Sequence, residues 1–68
     1  MTKKEQKAIL EAILFTMGEA VEVERLAAVI EEDKDKTKDL LLEMQEEYEK
    51  DERGMTLMEL DESFQMCT

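Results

Sequence analysis

The sequence predicts an α+β fold, mainly α: a winged helix-turn-helix of three helices followed by a β-hairpin wing, filling residues 1–68 as one domain. Three observations carry this reading. Apolar residues recur at helical spacing in three separate stretches, and after Gly54 that period gives way to alternation. A chain of 68 residues also has room for only one small core, since chains near this size bury ~60% of their unfolded surface.

Thr2-Lys3-Lys4-Glu5 is a capping box, in which a hydroxyl and a carboxylate satisfy the free backbone N–H groups at a helix start. The first helix runs from there to about Met17. Its core stripe is Leu10, Ile13, Leu14 and Met17 at i, i+3, i+4 and i+7, widened by Ile9, and Gly18 supplies a left-handed cap. Glu19-Ala20-Val21 looks extended. Val23, Leu26, Ala27 and Ile30 predict a short second helix ending near Glu31. Asp33 is positioned to cap a third helix with the stripe Thr37, Leu40, Leu41, Met44 and Tyr48, which Arg53-Gly54 ends. Met55–Leu60 and Phe64–Met66 then read as two strands about the polar turn Asp61-Glu62-Ser63. The expected core comprises Leu10, Ile13, Leu14, Leu26, Ile30, Leu41, Met44 and Tyr48. No internal repeat or Pro/Gly-rich linker is present.

The composition excludes most chemistry. There is no histidine, which removes the commonest general base and metal ligand. The run Asp33-Lys34-Asp35-Lys36-Thr37-Lys38-Asp39 offers oxygens at alternate positions like a calcium loop. It then places Lys38 where glycine is needed and Met44 where a bidentate glutamate is needed. Cys67 has no histidine or basic residue beside it to activate a thiol. With glycine only at Gly18 and Gly54, no phosphate-cradling loop exists. We therefore expect no enzyme, no cofactor and no metal. A single cysteine cannot form an internal disulfide, which points to a reducing, cytoplasmic setting. No segment is long and apolar enough for a membrane span, and the N-terminus is polar before Ala8, unlike a secretory signal. The chain stops directly after a strand-like run, as a domain cut from a longer protein would.

Net charge bears on partners. The formal charge is -10, with 9 basic against 19 acidic residues. Non-specific nucleic-acid affinity comes mainly from Lys and Arg on phosphates, so this balance disfavours DNA, RNA and anionic membranes. Winged helices often lay their third helix in the major groove. Here the stretch Asp33–Glu52 carries nine acidic residues against four lysines, the wrong sign for backbone contacts, and the wing adds Glu59, Asp61 and Glu62. Fold order alone keeps a winged-helix DNA-binding regulator as the alternative.

Three apolar residues lie off the stripes and are the interface candidates: Phe15, Leu42 and Met58. About 100° of turn per residue carries the Phe15 ring away from the core stripe, beside Ala8, where it either packs under the wing or docks on another chain.

The runs LEAILFTMGEAVEVERLAAVI (Leu10–Ile30) and LLLEMQEEYEKDERGMTLMEL (Leu40–Leu60) resemble the N-terminal winged-helix domain of the segregation and condensation protein B family. The likeness rests on Leu10–Phe15, the Gly18-Glu19 turn with Val21, Leu26-Ala27, the stretch Leu41 to Tyr48, Arg53-Gly54 before an apolar strand, and Phe64-Gln65-Met66. Ala20 stands where the family usually has proline, Glu22 where a Ser or Thr cap is usual, and Ser63 where the wing turn is commonly glycine-rich. The resemblance implies a homodimerising, non-enzymatic subunit of bacterial condensin. It would bind the kleisin, segregation and condensation protein A (ScpA), beside the SMC heads in chromosome condensation and segregation. It also implies a second winged-helix domain, which these residues do not include.

Overall fold

The computed structural model describes residues 1–68. Helix α1 spans Lys3–Met17, strand β1 Val21–Glu22, helix α2 Val23–Val29, helix α3 Lys34–Lys50, strand β2 Thr56–Leu60 and strand β3 Ser63–Cys67. Three helices and a wing are therefore present in the expected order.

The capping box forms. The Glu5 backbone N–H donates to the Thr2 hydroxyl at 3.1 Å, and the Thr2 N–H donates to the Glu5 carboxylate at 2.9 Å. At the other end Gly18 takes φ 65° and its N–H donates to the Leu14 carbonyl at 3.3 Å. A Cβ built at Gly18 would meet nothing within 4 Å, so only backbone strain opposes substitution there. Helices α2 and α3 stop differently, each through a glutamate in the left-handed region, Glu31 at φ 55° and Glu52 at φ 52°. The following N–H groups of Glu32 and Arg53 reach back to the carbonyls of Ala27 and Tyr48, at 3.0 and 3.1 Å. Glycine adopts that conformation without the Cβ penalty. Gly18→Ala is accordingly expected to lower unfolding stability by ~1 kcal/mol and Glu52→Gly to raise it by ~0.5–1 kcal/mol in urea titration. Shifts of the same sign for both would contradict this account of the caps.

The wing departs from the sequence reading in three ways. It is a three-stranded antiparallel sheet of order β1-β3-β2, so β3 is central and the short segment before α2 is its third strand. Val21 pairs with Phe64 and Glu22 with Ser63. The turn holds two residues, not three: Ser63 pairs with Leu60, and Asp61 takes φ 52°. Strand β2 begins at Thr56, and β3 extends to Cys67. Helix α2 ends at Val29 rather than near Glu31 because the chain turns left-handed there. Its N-cap Glu22 makes no side-chain capping bond. The start is held instead by the Val23 N–H donating to the Glu62 carbonyl at 2.8 Å, which stitches α2 to the wing turn.

The core gathers one face of every element: Leu10 and Leu14 of α1, Leu26 of α2, Leu41, Met44 and Tyr48 of α3, and Leu57, Phe64 and Met66 of the wing. Ile13, expected in it, is half-buried and packs against its edge. Met17 is 40% exposed, since the last turn of α1 runs past the end of the core. Gln6 is buried at the position one turn before Leu10, and its amide donates to the Ile30 carbonyl and the Glu32 carboxylate, both at 3.4 Å. A polar side chain on the core side of α1 thereby satisfies the end of α2.

Candidate interaction surfaces

The three interface candidates are exposed, on three different elements. Phe15 is 67% exposed, Met58 45% and Leu42 37%. For Phe15 the exposure decides between the two sequence alternatives: the ring is not packed under the wing. It projects from the flank of α1 that also carries Ala8 and Ala12, both exposed and at i and i+4 with Phe15 at i+7. Beside it lies a groove of about 340 Å³ lined by Glu11, Tyr48, Arg53, Met55 and Met66. Met58 stands instead on the outer face of the wing, with Leu60 two residues on. Leu42 sits on the flank of α3 between Lys38 and Gln45, whose side chains reach Glu59 and the Leu57 carbonyl of β2, the strand that carries Met58.

Sequence reasoning missed other exposed apolar residues. Leu60 had a signal, its alternation with Met58. Val29 and Met17 had little, because the end of α2 and the last turn of α1 were both expected inside. They border a small hollow of about 70 Å³ with Ile13, Val21, Leu26 and Arg25.

Charge on α3 is held internally. Lys7 of α1 bridges Glu43 and Glu47 at 2.8 and 2.9 Å, and Lys3 joins Glu43 at 2.8 Å. Lys34 pairs with Glu62 in the wing turn, Lys38 with Glu59 at 3.3 Å and Lys36 with Glu32 at 3.9 Å. Gln45 donates to the Leu57 carbonyl at 2.6 Å, so side chains of α3 cross to strand β2 at two points. The lysines at the start of α3, which a DNA reader would turn to phosphates, are thus already paired with carboxylates. The Tyr48 hydroxyl donates to Glu11, and Arg53 lies 5.0 Å above its ring while reaching Glu11 at 3.5 Å. Burial, and then the Glu11 hydrogen bond, push the Tyr48 phenol above its ordinary range.

Hydrogen bonds from Lys3 and Lys7 hold the Glu43 carboxyl below its ordinary 4.5, while the same pairing holds Lys7 above 10.5. A depressed carboxylate stabilises the fold above its unfolded pKa, and that contribution is lost as pH falls through the folded one. Removing the carboxylate therefore matters at neutral pH and not in acid. Glu43→Gln is expected to melt below the parent at neutral pH, with the gap closing as pH falls below about 4.5. A gap that persists unchanged in acid would assign the loss to packing instead. Being exposed, this pair is also expected to weaken with salt.

Three helices closed by a three-stranded wing, with an acidic third helix and a large ring exposed on the first, define a winged-helix domain whose surface favours contact with protein over nucleic acid. The family model described as "Segregation and condensation complex subunit ScpB" matches residues 8–68, and the chain belongs to that family. It is 54% identical over 68 residues to segregation and condensation protein B of Lachnoclostridium phytofermentans, covering 100% of this chain and 36% of that one. With the protein of the same name from Agathobacter rectalis it is 51% identical over 63 residues, covering 91% and 34%. The chain thus spans about a third of the length of these relatives.

Among solved structures it is similar to the dimer of an ScpB N-terminal domain complexed with ScpA peptide. The TM-score is 0.87 at 36% identity, covering 96% of this chain and 82% of that one. It is also similar to ScpB from Mycobacterium tuberculosis, with TM-score 0.92 at 28% identity over 100% of this chain and 42% of that one.

Proposed function

We propose that the chain is the N-terminal winged-helix domain of a longer two-domain protein, a non-enzymatic accessory subunit of the bacterial SMC condensin complex. In this reading it homodimerises and binds the kleisin ScpA, and through it SMC, in the cytoplasm. The observation that carries the reading is Phe15, two-thirds exposed on the outer face of α1. Ala8 and Ala12 beside it leave room for a second helix to approach closely, and an exposed aromatic at such a seam is the kind of residue that dominates interface energy. The similarity to an ScpB N-terminal domain that is dimeric and holds an ScpA peptide supports the same assignment. An acidic domain with surplus apolar surface also suits a protein partner better than a nucleic acid.

Two titrations test it. Mixing the chain with ScpA of the same organism is expected to give a saturable complex in sedimentation. No complex with folded chain at high concentration would contradict the reading. A labelled DNA duplex at low salt is expected to show no saturable binding. Micromolar binding that weakens steeply with salt would establish the DNA-binding regulator instead.

A further inference from the structure

Strand β2 pairs with β3 on one side and has no strand on the other, so it is a free edge of the sheet. The register determines which backbone groups that edge presents. Leu60 and Ser63 close the two-residue turn as a hydrogen-bonded pair, and such pairs alternate along an antiparallel ladder. Leu57 and Glu59 therefore turn their N–H and C=O groups outward. The other side of β3 agrees: Phe64, opposite Glu59, faces β1 and pairs with Val21. An edge of this kind is a template for a strand from another chain. It is also apolar, since Met58 and Leu60 are exposed on the outer face of the same strand. One flank of α3 stands over it, where Lys38, Leu42 and Gln45 recur at i, i+4 and i+7. The Gln45 amide donates to the outward Leu57 carbonyl at 2.6 Å, and Lys38 holds Glu59 at 3.3 Å.

We propose that Gln45 is a latch that keeps the wing from adding the β2 strand of a second copy. The second copy is the occupant because the edge is complementary to itself. Antiparallel pairing about Met58 sets Leu57 of each chain opposite Glu59 of the other, so the outward N–H and C=O groups of both residues find partners. The same register places Thr56, Met58 and Leu60 of the two chains in one row on the outer face, with the two Met58 side chains adjacent. The Gln45 amide sits where the N–H of the added strand would have to donate, on the Leu57 carbonyl. While it is there, that register cannot close. The consequence for assembly rests on the proposed function: in a domain that already pairs through α1, a second self-pairing edge would link pairs into open chains. The latch itself rests on the register and the Gln45 bond alone.

Sedimentation in a Phe15→Glu background, which takes the α1 face out of the experiment, tests the latch. Adding Gln45→Ala is expected to bring self-association to a concentration about tenfold lower or more, with the circular dichroism unchanged. Adding Glu59→Pro as well should return the chain to single-chain mass, because proline removes an outward N–H while the bonds between β2 and β3 stay. Where that proline unfolds the chain, Met58→Lys makes the same test by setting two ammonium groups side by side at the centre of the pairing. An unchanged mass in Gln45→Ala would overturn the latch. So would association that neither Glu59→Pro nor Met58→Lys reverses, which would run through another face. Loss of the fold in Gln45→Ala would make the residue a support of the core and overturn the latch too.

Discussion

Phe64→Ala is expected to destabilise the fold more than any other single truncation of the core, by ~3–5 kcal/mol. Phe64 is fully buried at the centre of the sheet, opposite Val21 on one side and Glu59 on the other, and it joins the core that α1, α2 and α3 share. Truncating a buried phenylalanine costs ~3–5 kcal/mol, in transfer energy and in the cavity left behind. A domain of 68 residues has, at ~0.05–0.15 kcal/mol per residue, ~3–10 kcal/mol in total, so the loss removes about a third of it or more. Urea titration followed by far-ultraviolet circular dichroism reads the result. A loss below ~1 kcal/mol would mean that the site collapses on itself and that the wing is not part of the common core.

The second large effect concerns association, and it should leave the fold alone. Phe15→Glu removes a ring that touches little of its own chain, so the melting transition is expected to stay within ~0.5 kcal/mol of the parent. The proposed dimer is expected to weaken by ~2–4 kcal/mol, or roughly 30-fold to 1,000-fold, because each protomer loses an exposed aromatic from the proposed interface and gains a carboxylate there. Leu42→Glu and Met58→Glu serve as comparisons, since they lie on other surfaces. Equal dissociation by all three would point to general acidity rather than to the α1 face.

Most of this architecture was legible because the amphipathic periods are clean. Leu10, Leu14, Leu26, Leu41, Met44 and Tyr48 each sit where the helical spacing puts them, buried in a single core. The strand before α2 was harder to read. Val21–Glu22 has no alternation to display over two residues, and it becomes a strand only because Phe64 and Ser63 come back to pair with it. Helix ends were blurred for a related reason. Glu31 and Glu52 occupy left-handed positions that a reader assigns to glycine, so α2 seemed longer and α3 seemed to run on to Gly54. The exposure of Phe15 was legible as an angle on the helix, while its surroundings were not. Tyr48 of α3, Met66 of β3, and Arg53 and Met55 of the segment between α3 and β2 reach the same groove, and no sequence spacing connects them.

The central claim is that this domain pairs with itself through the outer face of α1, and sedimentation of the unmodified chain over a wide dilution series tests it most directly. A mass near twice the 7.9 kDa of one chain, falling to the single-chain value on dilution and at far higher concentration in Phe15→Glu, is the predicted result. A single-chain mass at every concentration would contradict it.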